Sequence, residues 1–424
     1  MGKVVKLEPP AKDRTGAKAR SRPKRSKTAL VLGGGGFTGG VYEIGALRAL
    51  DLLTVNRNVN DFDVYVGTSA GSFVGSMIAN GLTPEEMMRV VDNQRPTPFP
   101  DLDLGNLLRP NIGGFAKSAV MMPLRTAQML RGMAAQLGQV SAMDFVLGLA
   151  EGMPSGAYSG AGVERYLHTV LTSDPNRTDD FRELGKELYI TATDLDTCER
   201  IVFGSEGWED VPISTAVRAS TALPMVYSPV KVRDRELVDG GIVSTTNLDI
   251  AVSAGAKFIV VINPLVPYVN DFKTKIRTLG GTRTRHVSDM GFPQIGYQAF
   301  KMVAYQRLHE MARQWEQRYP GVDIILIEPE PDDELMFQTP IMNFTSRVEI
   351  ARHGFQSVTT QLAFGYPRFR EICKRHGIQI SATRVRKVMK HFEAEQGRTR
   401  AWRKILEQTT GALLRQSGDQ SERG

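Results

Sequence analysis

Gly67-Thr68-Ser69-Ala70-Gly71 follows the short apolar run FDVYV at 62–66 and precedes SFVGSMIA at 72–79. The first flank is typical of a buried strand and the second of a helix. A strand, G-x-S-x-G and a helix in this order are the context of a nucleophile elbow. Gly67 and Gly71 suit such a tight turn because a Cβ atom there would clash with the strand and the helix. The pattern predicts that the Ser69 hydroxyl stands at the C-terminal edge of a sheet; the alternative is a chance match in an ordinary turn.

A glycine-rich stretch, GGGGFTGG at 33–40, lies between the strand-like TALVL at 28–32 and a segment with apolar residues at helical spacing. Right-handed crossovers would make the two strands parallel and bring both loops to the same edge of the sheet. Backbone N–H groups beside a serine nucleophile can stabilise the negative charge that develops on the substrate. We therefore expect the N–H groups of Gly34, Gly35 and Gly36 to form an oxyanion hole.

The residues from Gly34 to Gly39 also match G-x-G-x-x-G, the fingerprint of dinucleotide-binding folds. That interpretation requires an acidic residue at the end of the second strand. Asp61 and Asp63 lie at a suitable distance along the chain, but they precede or open that strand, and the serine motif occupies its end. An NAD(P)-binding oxidoreductase is therefore the weaker hypothesis, and we expect no cofactor.

A third motif, Asp239-Gly240-Gly241, follows a strand-like segment and would by itself indicate only a turn. Together, the three motifs in the order G-x-G-x-x-G, G-x-S-x-G and D-G-G resemble the patatin-like phospholipase family. The resemblance continues in TATDLDT at 191–197, RASTALP at 218–224 and SPV at 228–230, and it covers roughly residues 28–365 apart from one insert. One departure is Thr38, which stands where the family usually has Arg or Lys in the glycine loop; Gly40 looks like an extra residue.

The resemblance implies an α/β fold of the patatin-like three-layer type, with a mainly parallel central sheet flanked by helices. It also implies a catalytic dyad in which Ser69 is the nucleophile and Asp239 the general base. The family motifs map onto eight glycines, of which three would form the oxyanion hole: Gly34, Gly35, Gly36, Gly39, Gly67, Gly71, Gly240 and Gly241. A carboxylate is a weak base in water, so such a dyad requires a dry site that raises its basicity. The expected function is lipid ester hydrolysis through an acyl-enzyme on Ser69, without a metal; a lipid-binding pseudo-enzyme and an acyltransferase are alternatives on the same fold.

The composition of the 424-residue chain is typical of a globular protein, with 41% apolar and 23% charged residues. No apolar run reaches the length of a membrane span, and the N-terminus has no apolar segment of the kind that signal peptides contain. The two cysteines, Cys198 and Cys373, are far apart and indicate a reducing compartment. We therefore expect a cytoplasmic protein that can associate peripherally with a membrane; the sequence does not predict its oligomeric state.

Residues 1–27 carry ten basic side chains and two acidic ones, a formal charge of +8, while the rest of the chain sums to about −1. Such a tail is expected to be disordered. It would act either as a solubilising arm or as an electrostatic attachment to anionic lipid. Because no nucleic-acid-binding motif accompanies it, we expect a lipid ester substrate and a membrane surface as partners rather than a nucleic acid.

We predict three regions: a basic tail at 1–27, a catalytic domain at 28–365 and a helical extension at 366–424. Within the catalytic domain, residues 94–160 interrupt the α/β pattern and form a helical insert or lid. The insert is rich in methionine, which adapts to variable apolar partners such as acyl chains, although the same residues could pack a helical core. These methionines are Met121, Met122, Met129, Met133 and Met143.

None of the six histidines forms a metal-binding spacing such as H-E-x-x-H. We therefore expect no protein-built metal site. A serine–aspartate–histidine triad in the order of the α/β-hydrolases remains an alternative, with His286, His309 or His353 as its last member.

Overall fold

The structure is a computed structural model of the chain. It describes residues 26–93, 99–100, 105, 108–135, 153–270, 275–278, 281–284, 286–331, 333, 335–336, 339, 342–392 and 394.

An eight-stranded sheet forms the centre of the described fold. Its strands are β1 (Thr28–Leu32), β2 (Val64–Thr68), β4 (Glu187–Asp194), β5 (Arg200–Phe203), β7 (Val230–Val232), β8 (Arg235–Asp239), β9 (Phe258–Ile262) and β12 (Asp323–Ile327). Their order is β12-β9-β1-β2-β4-β8-β7; β2 and β8 pair with one side of β4, one after the other, and β5 pairs with its other side. The first five strands in this order are parallel, whereas β5 and β8 run antiparallel to β4.

Helices cover both faces of the sheet and make the fold a three-layer α/β sandwich. The first face packs against α1 (Gly36–Leu53), α2 (Ala70–Ala79), α3 (Pro84–Val91), α5 (Ala161–Thr172), α6 (Ile213–Ser220), α10 (Arg347–Phe364) and α11 (Tyr366–Arg375). The second face packs against α7 (Leu248–Ser253), α8 (Phe292–Ala312) and α9 (Trp315–Arg318). The expected mainly parallel sheet between helical layers is confirmed.

Strand β1 lies in the middle of this arrangement and is buried along its whole length. Leu30 and Leu32 face the first layer of helices, while Ala29 and Val31 face the second. A strand that is buried on both faces has a continuous apolar sequence rather than an alternating one, which explains the run TALVL. The two loops that follow β1 and β2 therefore leave a rigid core at the same edge of the sheet.

Helices α1 and α10 approach each other closely through a glycine on each. A Cβ atom on Gly45 would lie 2.2 Å from the Ala351 carbonyl oxygen, and one on Gly354 would lie 2.5 Å from the Tyr42 carbonyl oxygen. Larger residues at these two positions would force the helices apart. Helix α10, from the C-terminal part of the chain, thus buries the helix that begins in the glycine-rich loop.

Several local signals in the sequence correspond to observed helix boundaries. The Thr83 hydroxyl accepts a hydrogen bond from the Glu86 N–H, and the Glu86 side chain bonds back to the Thr83 N–H, which closes a capping box at the start of α3. The polar, glycine- and arginine-rich sequence at about 270–290 predicts a loop, but this region contains the antiparallel hairpin of β10 (Lys275–Thr278) and β11 (Gly281–Thr284). The sequence at 294–318 predicts one long helix, which in the structure is divided into α8 and α9 by a turn.

The predicted regions are only partly described. Of the tail at 1–27, the structure describes Ser26 and Lys27, and the Lys27 carbonyl accepts a hydrogen bond from the Lys257 N–H at 2.8 Å. The insert at 94–160 includes α4 (Ile112–Ala135) and β3 (Gly156–Tyr158), which pairs with β6 (Met225–Tyr227). Of the extension at 366–424, α11 and a helical segment at 382–392 are described. Among the described helices, none combines the length and the apolar character that a membrane crossing requires.

Candidate active site

Ser69 lies in the turn between β2 and α2, with backbone angles φ 53° and ψ −124°. A non-glycine residue at positive φ is strained, and such strain is common at functional sites. The flanking glycines make the turn possible: a Cβ atom on Gly67 would lie 2.5 Å from Ser72 Cα, and one on Gly71 would lie 2.4 Å from the Leu32 carbonyl carbon. The chain therefore has the backbone of a nucleophile elbow at the predicted serine.

The Ser69 hydroxyl donates a hydrogen bond of 2.6 Å to Asp239 Oδ2. Asp239 is the last residue of β8, and antiparallel pairing places it opposite Ala192 of β4, the neighbour of the serine strand. Both side chains are buried, Ser69 at 6% exposure and Asp239 at 3%. The structure thus brings the two predicted catalytic residues into direct contact.

The Asp239 carboxylate is held in a dry environment. Its other oxygen, Oδ1, accepts a hydrogen bond of 2.8 Å from the Gly241 N–H. Burial raises the pKa of Asp239 from 3.8 to about 6, and the hydrogen bonds from Ser69 and Gly241 partly oppose this rise. A carboxylate with this pKa is a stronger base than an exposed one, yet it is still mostly ionised at neutral pH.

The strained backbone of Ser69 is held by Ser220, a residue for which no role was predicted. The Ser69 N–H donates to the hydroxyl of Ser220, a fully buried residue at the C-terminus of α6, at 2.8 Å. Ser220 belongs to RASTALP, one of the segments that resemble the patatin-like family. That resemblance is the one feature of the sequence that could have indicated a role for Ser220 in the site.

A buried amide lies beneath the serine turn. Asn247 Nδ2 donates to the hydroxyls of Thr68 at 2.9 Å and Thr191 at 3.0 Å, and these two hydroxyls are also hydrogen-bonded to each other. All three residues are fully buried. Since Thr68 precedes Ser69 and Asn247 follows the D-G-G turn, this cluster ties the serine strand to the loop of the acid. No motif in the sequence indicated Asn247.

The glycine-rich loop lies directly against Ser69. A Cβ atom on Gly34 would come within 3.3 Å of Ser69 Cβ. The Gly34 N–H donates to the Thr245 carbonyl at 3.2 Å, so in this structure it is engaged with the protein rather than facing the serine as predicted. Gly35 is the N-cap of α1 and Gly36 its first residue. For these two residues the structure records no backbone N–H partner within the described part of the chain, as is usual for the first turn of a helix.

Three of the other motif glycines are also needed for close packing. A Cβ atom on Gly39 would lie 3.1 Å from Pro264 Cγ. One on Gly240 would lie 2.3 Å from the Thr191 carbonyl oxygen, and one on Gly241 would lie 3.1 Å from Asp239 Oδ1. Gly240 can therefore pack against β4, and Gly241 against the Asp239 carboxylate, only because neither has a side chain.

A cavity of about 150 Å³, here called the Ser69 cavity, extends from the dyad. Apart from the dyad and the glycine loop it is lined mainly by apolar side chains, including those of Phe73, Met77, Leu82, Met87, Val163 and Tyr166. The insert contributes Phe99 and Leu108 to this lining. By contrast, Met121 and Met122 on α4 are exposed, and the side chains of Met129, Met133 and Met143 are not among those described.

The alternative site residues have other partners. His309 Nε2 is hydrogen-bonded to Glu328 at 2.8 Å, and His353 is hydrogen-bonded to Asp333. His286 begins a short 3₁₀ turn and its N–H donates to Asp289. Among the described residues, only Gly241 and Ser69 donate to the Asp239 carboxylate, so a histidine triad is not formed.

The acidic residues considered for dinucleotide binding lie at the opposite edge of the sheet. Asp63 precedes β2, and its carboxylate accepts hydrogen bonds from both the N–H and the hydroxyl of Thr28. Asp61 belongs to a 3₁₀ turn and caps it through Asn58. Neither lies where a ribose beside the glycine loop would be bound. The described residues also contain no cluster of potential metal ligands.

Comparison with known proteins gives consistent results. Residues 30–252, just over half of the chain, match the model of the patatin-like phospholipase family. The chain is 25% identical over 236 residues to the probable lipid hydrolase 463L of Invertebrate iridescent virus 6, covering 54% of this chain and 65% of the viral protein. It therefore spans somewhat less than two thirds of that relative.

Similar solved structures include VipD from Legionella pneumophila, with 14% identity, a TM-score of 0.37 and coverage of 81% of this chain and 67% of that one. Another is the human GIVD cytosolic phospholipase A2 complex with methyl gamma-linolenyl fluorophosphonate, with 11% identity, a TM-score of 0.34 and coverage of 83% and 59%. The motifs and the family match lead to one conclusion: the chain belongs to the patatin-like phospholipase family.

Proposed function

We propose that this protein is a serine acyl hydrolase that cleaves carboxylic ester bonds of lipids. The observation that carries the proposal is the 2.6 Å hydrogen bond from Ser69 Oγ to a buried carboxylate at the head of an apolar cavity. A nucleophile that contacts its base directly, on a strained elbow, is suited to acyl transfer. The family match and the lipid hydrolase named among its relatives support the same chemistry.

In the proposed first step, Ser69 Oγ attacks the ester carbonyl carbon and its proton passes to Asp239 Oδ2. The carbonyl oxygen becomes an oxyanion, which the N–H groups of Gly35 and Gly36 stabilise together with the N-terminus of α1. The tetrahedral intermediate then collapses, the C–O bond to the leaving alcohol breaks, and Asp239 returns the proton to that alcohol. An acyl-enzyme on Ser69 remains.

In the second step, water attacks the acyl-enzyme carbonyl while Asp239 accepts one of its protons. The oxyanion forms again in the same place, the bond to Ser69 Oγ breaks, and the proton returns to the serine. Hydrolysis therefore consumes one water molecule and releases a fatty acid. An alcohol that attacked in place of water would give acyl transfer by the same steps.

The Ser69 cavity supports a lipid acyl group as the part of the substrate that is bound. Burial of each methylene group contributes about 0.8 kcal/mol, so an acyl chain in an apolar channel contributes most of its own binding energy. Four cavity-lining positions on α2 lie on one side of the helix: Ala70, Phe73, Val74 and Met77. They span about 10 Å of helical rise from the dyad, which suits an extended chain rather than a short acetyl group.

Peripheral attachment to membranes is proposed for the N-terminal tail. Residues 1–25 contain nine basic and two acidic side chains. A basic residue near an anionic bilayer contributes about 1 kcal/mol of attraction. This attachment would increase the local concentration of lipid substrate without taking part in the chemistry.

A fluorophosphonate probe tests the proposed nucleophile, because it forms a covalent adduct with activated serines. We expect a single adduct, which peptide mass mapping locates on Ser69. In parallel, p-nitrophenyl esters and mixed phospholipid vesicles should release free fatty acids, identified by mass spectrometry. Labelling at Ser72 or Ser76, or no labelling together with no ester cleavage, would contradict the proposal.

A further inference from the structure

The loop at 240–247, which connects Asp239 to Asn247, separates two cavities. Gly241 and Thr245 line the Ser69 cavity. Three other residues of the same loop line a second cavity of about 170 Å³ on its other side: Val243, Ser244 and Thr246. A ligand in the second cavity would therefore touch the loop that also borders the dyad.

Three arginines line this second cavity, here called the arginine cavity: Arg200, Arg307 and Arg318. The Arg200 guanidinium is paired with the Asp249 carboxylate at 2.7 Å. Arg307 and Arg318 have no ion pair with any described residue, and both are exposed at the cavity rim. The cavity thus contains an excess of positive charge that the protein does not neutralise.

The floor of the arginine cavity contains an unsatisfied polar atom. Thr246 is 2% exposed, and its hydroxyl oxygen has no hydrogen-bond partner among the described residues. A buried hydroxyl without a partner is unfavourable, so such groups usually have a ligand or a water molecule. This hydroxyl can donate to an acceptor oxygen, and Trp315 offers an adjacent buried aromatic surface.

We propose that the arginine cavity binds a phosphate group, carried either by a lipid head group or by a small soluble phosphate ester. Guanidinium groups hold phosphate through pairs of parallel N–H···O bonds, and a phosphate offers enough oxygens for two arginines and one hydroxyl. A carboxylate has only one pair of oxygens, so it cannot offer separate parallel N–H···O pairs to two guanidinium groups at once.

Hydrogen bonds connect this site to the dyad. Arg307 donates to the Val243 carbonyl, and Arg200 Nη1 donates to Asn247 Oδ1 at 2.9 Å. Asn247 in turn donates to Thr68, the residue before Ser69. A bound phosphate would fix the loop through these contacts, including the Gly241 N–H that bonds the catalytic carboxylate. We infer that occupancy increases ester turnover; this part of the inference rests on the proposed function, whereas the site itself does not.

Isothermal titration calorimetry on the full chain tests the site independently of any activity. The soluble probes are inorganic phosphate and glycerol 3-phosphate. The lipid-borne probe is phosphatidylinositol 4-phosphate in phosphatidylcholine vesicles, compared with vesicles of phosphatidylcholine alone. Arg307→Gln and Arg318→Gln should each weaken binding about tenfold or more, since each substitution removes charge-assisted hydrogen bonds to the phosphate. Arg313→Gln is the matched control, because Arg313 is exposed between α8 and α9 but does not line the cavity.

Binding of the soluble probes with this arginine dependence would identify a soluble phosphate ligand. Binding restricted to the phosphoinositide vesicles, with the same dependence, would identify a lipid head group. No binding of either kind, or binding that Arg313→Gln weakens as much as Arg318→Gln, would overturn the site.

Turnover of p-nitrophenyl butyrate should rise about fivefold or more at saturating ligand, the lower end of typical allosteric coupling; unchanged turnover would overturn the coupling to the dyad. Failure of the fluorophosphonate test with phosphate binding intact would reject the proposed hydrolase and leave the site standing.

Discussion

Ser69 Oγ lies 2.6 Å from Asp239 Oδ2, although the two residues are 170 positions apart in the chain. Their contact depends on strand pairing, because β2 and β8 pair with the same side of β4, one after the other. Thr68 lies opposite Thr191, and Asp239 lies opposite the next residue, Ala192. With no intermediate histidine, each residue should be indispensable and neither should act without the other.

The first prediction concerns this interdependence. Ser69→Ala and Asp239→Asn should each lower ester hydrolysis by about 10²–10⁴, the usual cost of losing a nucleophile's base. Because the two residues act as a unit, the double variant should be hardly worse than either single one. Kinetics on p-nitrophenyl esters test this, with circular dichroism as the control for folding. If Asp239→Asn kept more than about a tenth of wild-type activity, the base would have to be sought elsewhere.

The second prediction is a pH dependence set by Asp239, whose pKa is raised to about 6. Since the ionised carboxylate is the base, kcat/KM on a neutral soluble ester should rise with pH and level off above about pH 6–7. Stability should change in the opposite direction. The Asp239 carboxyl group holds its proton more tightly in the folded state than in the unfolded chain. Its contribution to the free energy of unfolding therefore falls by roughly 3 kcal/mol as the pH rises from about 4 to 6.

Comparison of variants isolates this stability effect from other buried acids. Denaturant titrations at several pH values should show that the free energy of unfolding falls less with rising pH for Asp239→Asn than for wild type. Ser69→Ala retains the carboxylate and loses a hydrogen bond that lowers its pKa, so it should show a fall at least as large as that of wild type, which makes it the matched control. An Asp239→Asn protein whose stability falls as steeply as that of wild type would mean that the raised pKa is incorrect.

A third prediction tests the oxyanion loop through Gly35. A Cβ atom at this position would lie 2.9 Å from both Gly39 Cα and Pro264 Cγ, so the loop must shift if Gly35→Ala is made. Loss of one oxyanion donor typically costs about 10²–10³ in kcat. We expect a loss of this size in kcat with a smaller change in KM. Gly185→Ala is the control, because nothing lies within 4 Å of its Cβ position; equal kinetics for the two variants would exclude Gly35 from the oxyanion hole.

The fourth prediction concerns the Ser69 cavity. Met77 is buried and lines the cavity two turns along α2 from the serine. Met77→Trp should shorten the channel and lower kcat/KM for long-chain esters about tenfold or more, since even one methylene group too many can cost this much in an apolar pocket. Short-chain esters should be affected far less. Met153→Trp, at an exposed position of the insert, is the control. Equal losses on all chain lengths would indicate general damage instead of a shortened channel.

The fifth prediction concerns the basic tail and follows from the contacts of Lys27. Because the Lys27 carbonyl bonds to the Lys257 N–H at the edge of the sheet, the deletion should stop before it. Removing residues 1–25 should weaken sedimentation with anionic vesicles at low salt, and the difference should vanish at high salt, where the Debye length shortens to about 3 Å at 1 M. Turnover of a soluble ester should not change. Unchanged vesicle binding at low salt would reduce the tail to a solubilising arm.

Much of the fold could be predicted because local patterns and long-range structure agree. The apolar run at 28–32 forms β1 at those positions, and the segment at 213–220, whose sequence predicts a short helix, forms α6. The β2 strand was placed two residues too early, because Phe62 and Asp63 have the composition of a strand but lie outside its pairing with β1. The hairpin of β10 and β11 was missed, since its polar residues lack the apolar alternation of a half-buried strand.

The site was only partly predictable for a similar reason. Ser69 and Asp239 lie in short motifs that can be recognised when all three occur in order, although D-G-G alone would indicate only a turn. The hydrogen bond from the Gly34 N–H to the Thr245 carbonyl joins segments more than 200 residues apart and leaves no local signal. The same holds for Asn247 beneath the elbow. Residues that support a site through tertiary contacts become visible only when the fold is known.

The close packing of α1 on α10 has a consequence for the synthesis of this protein. At about 5–20 residues per second, α10 leaves the ribosome roughly 15 to 60 s after α1. During that interval, the glycine-bearing face of α1 lacks its partner α10, and the β9 side of β1 lacks its own partner until residues 258–262 have been made. Translation that stopped at residue 252, where the family match ends, would leave both surfaces uncovered.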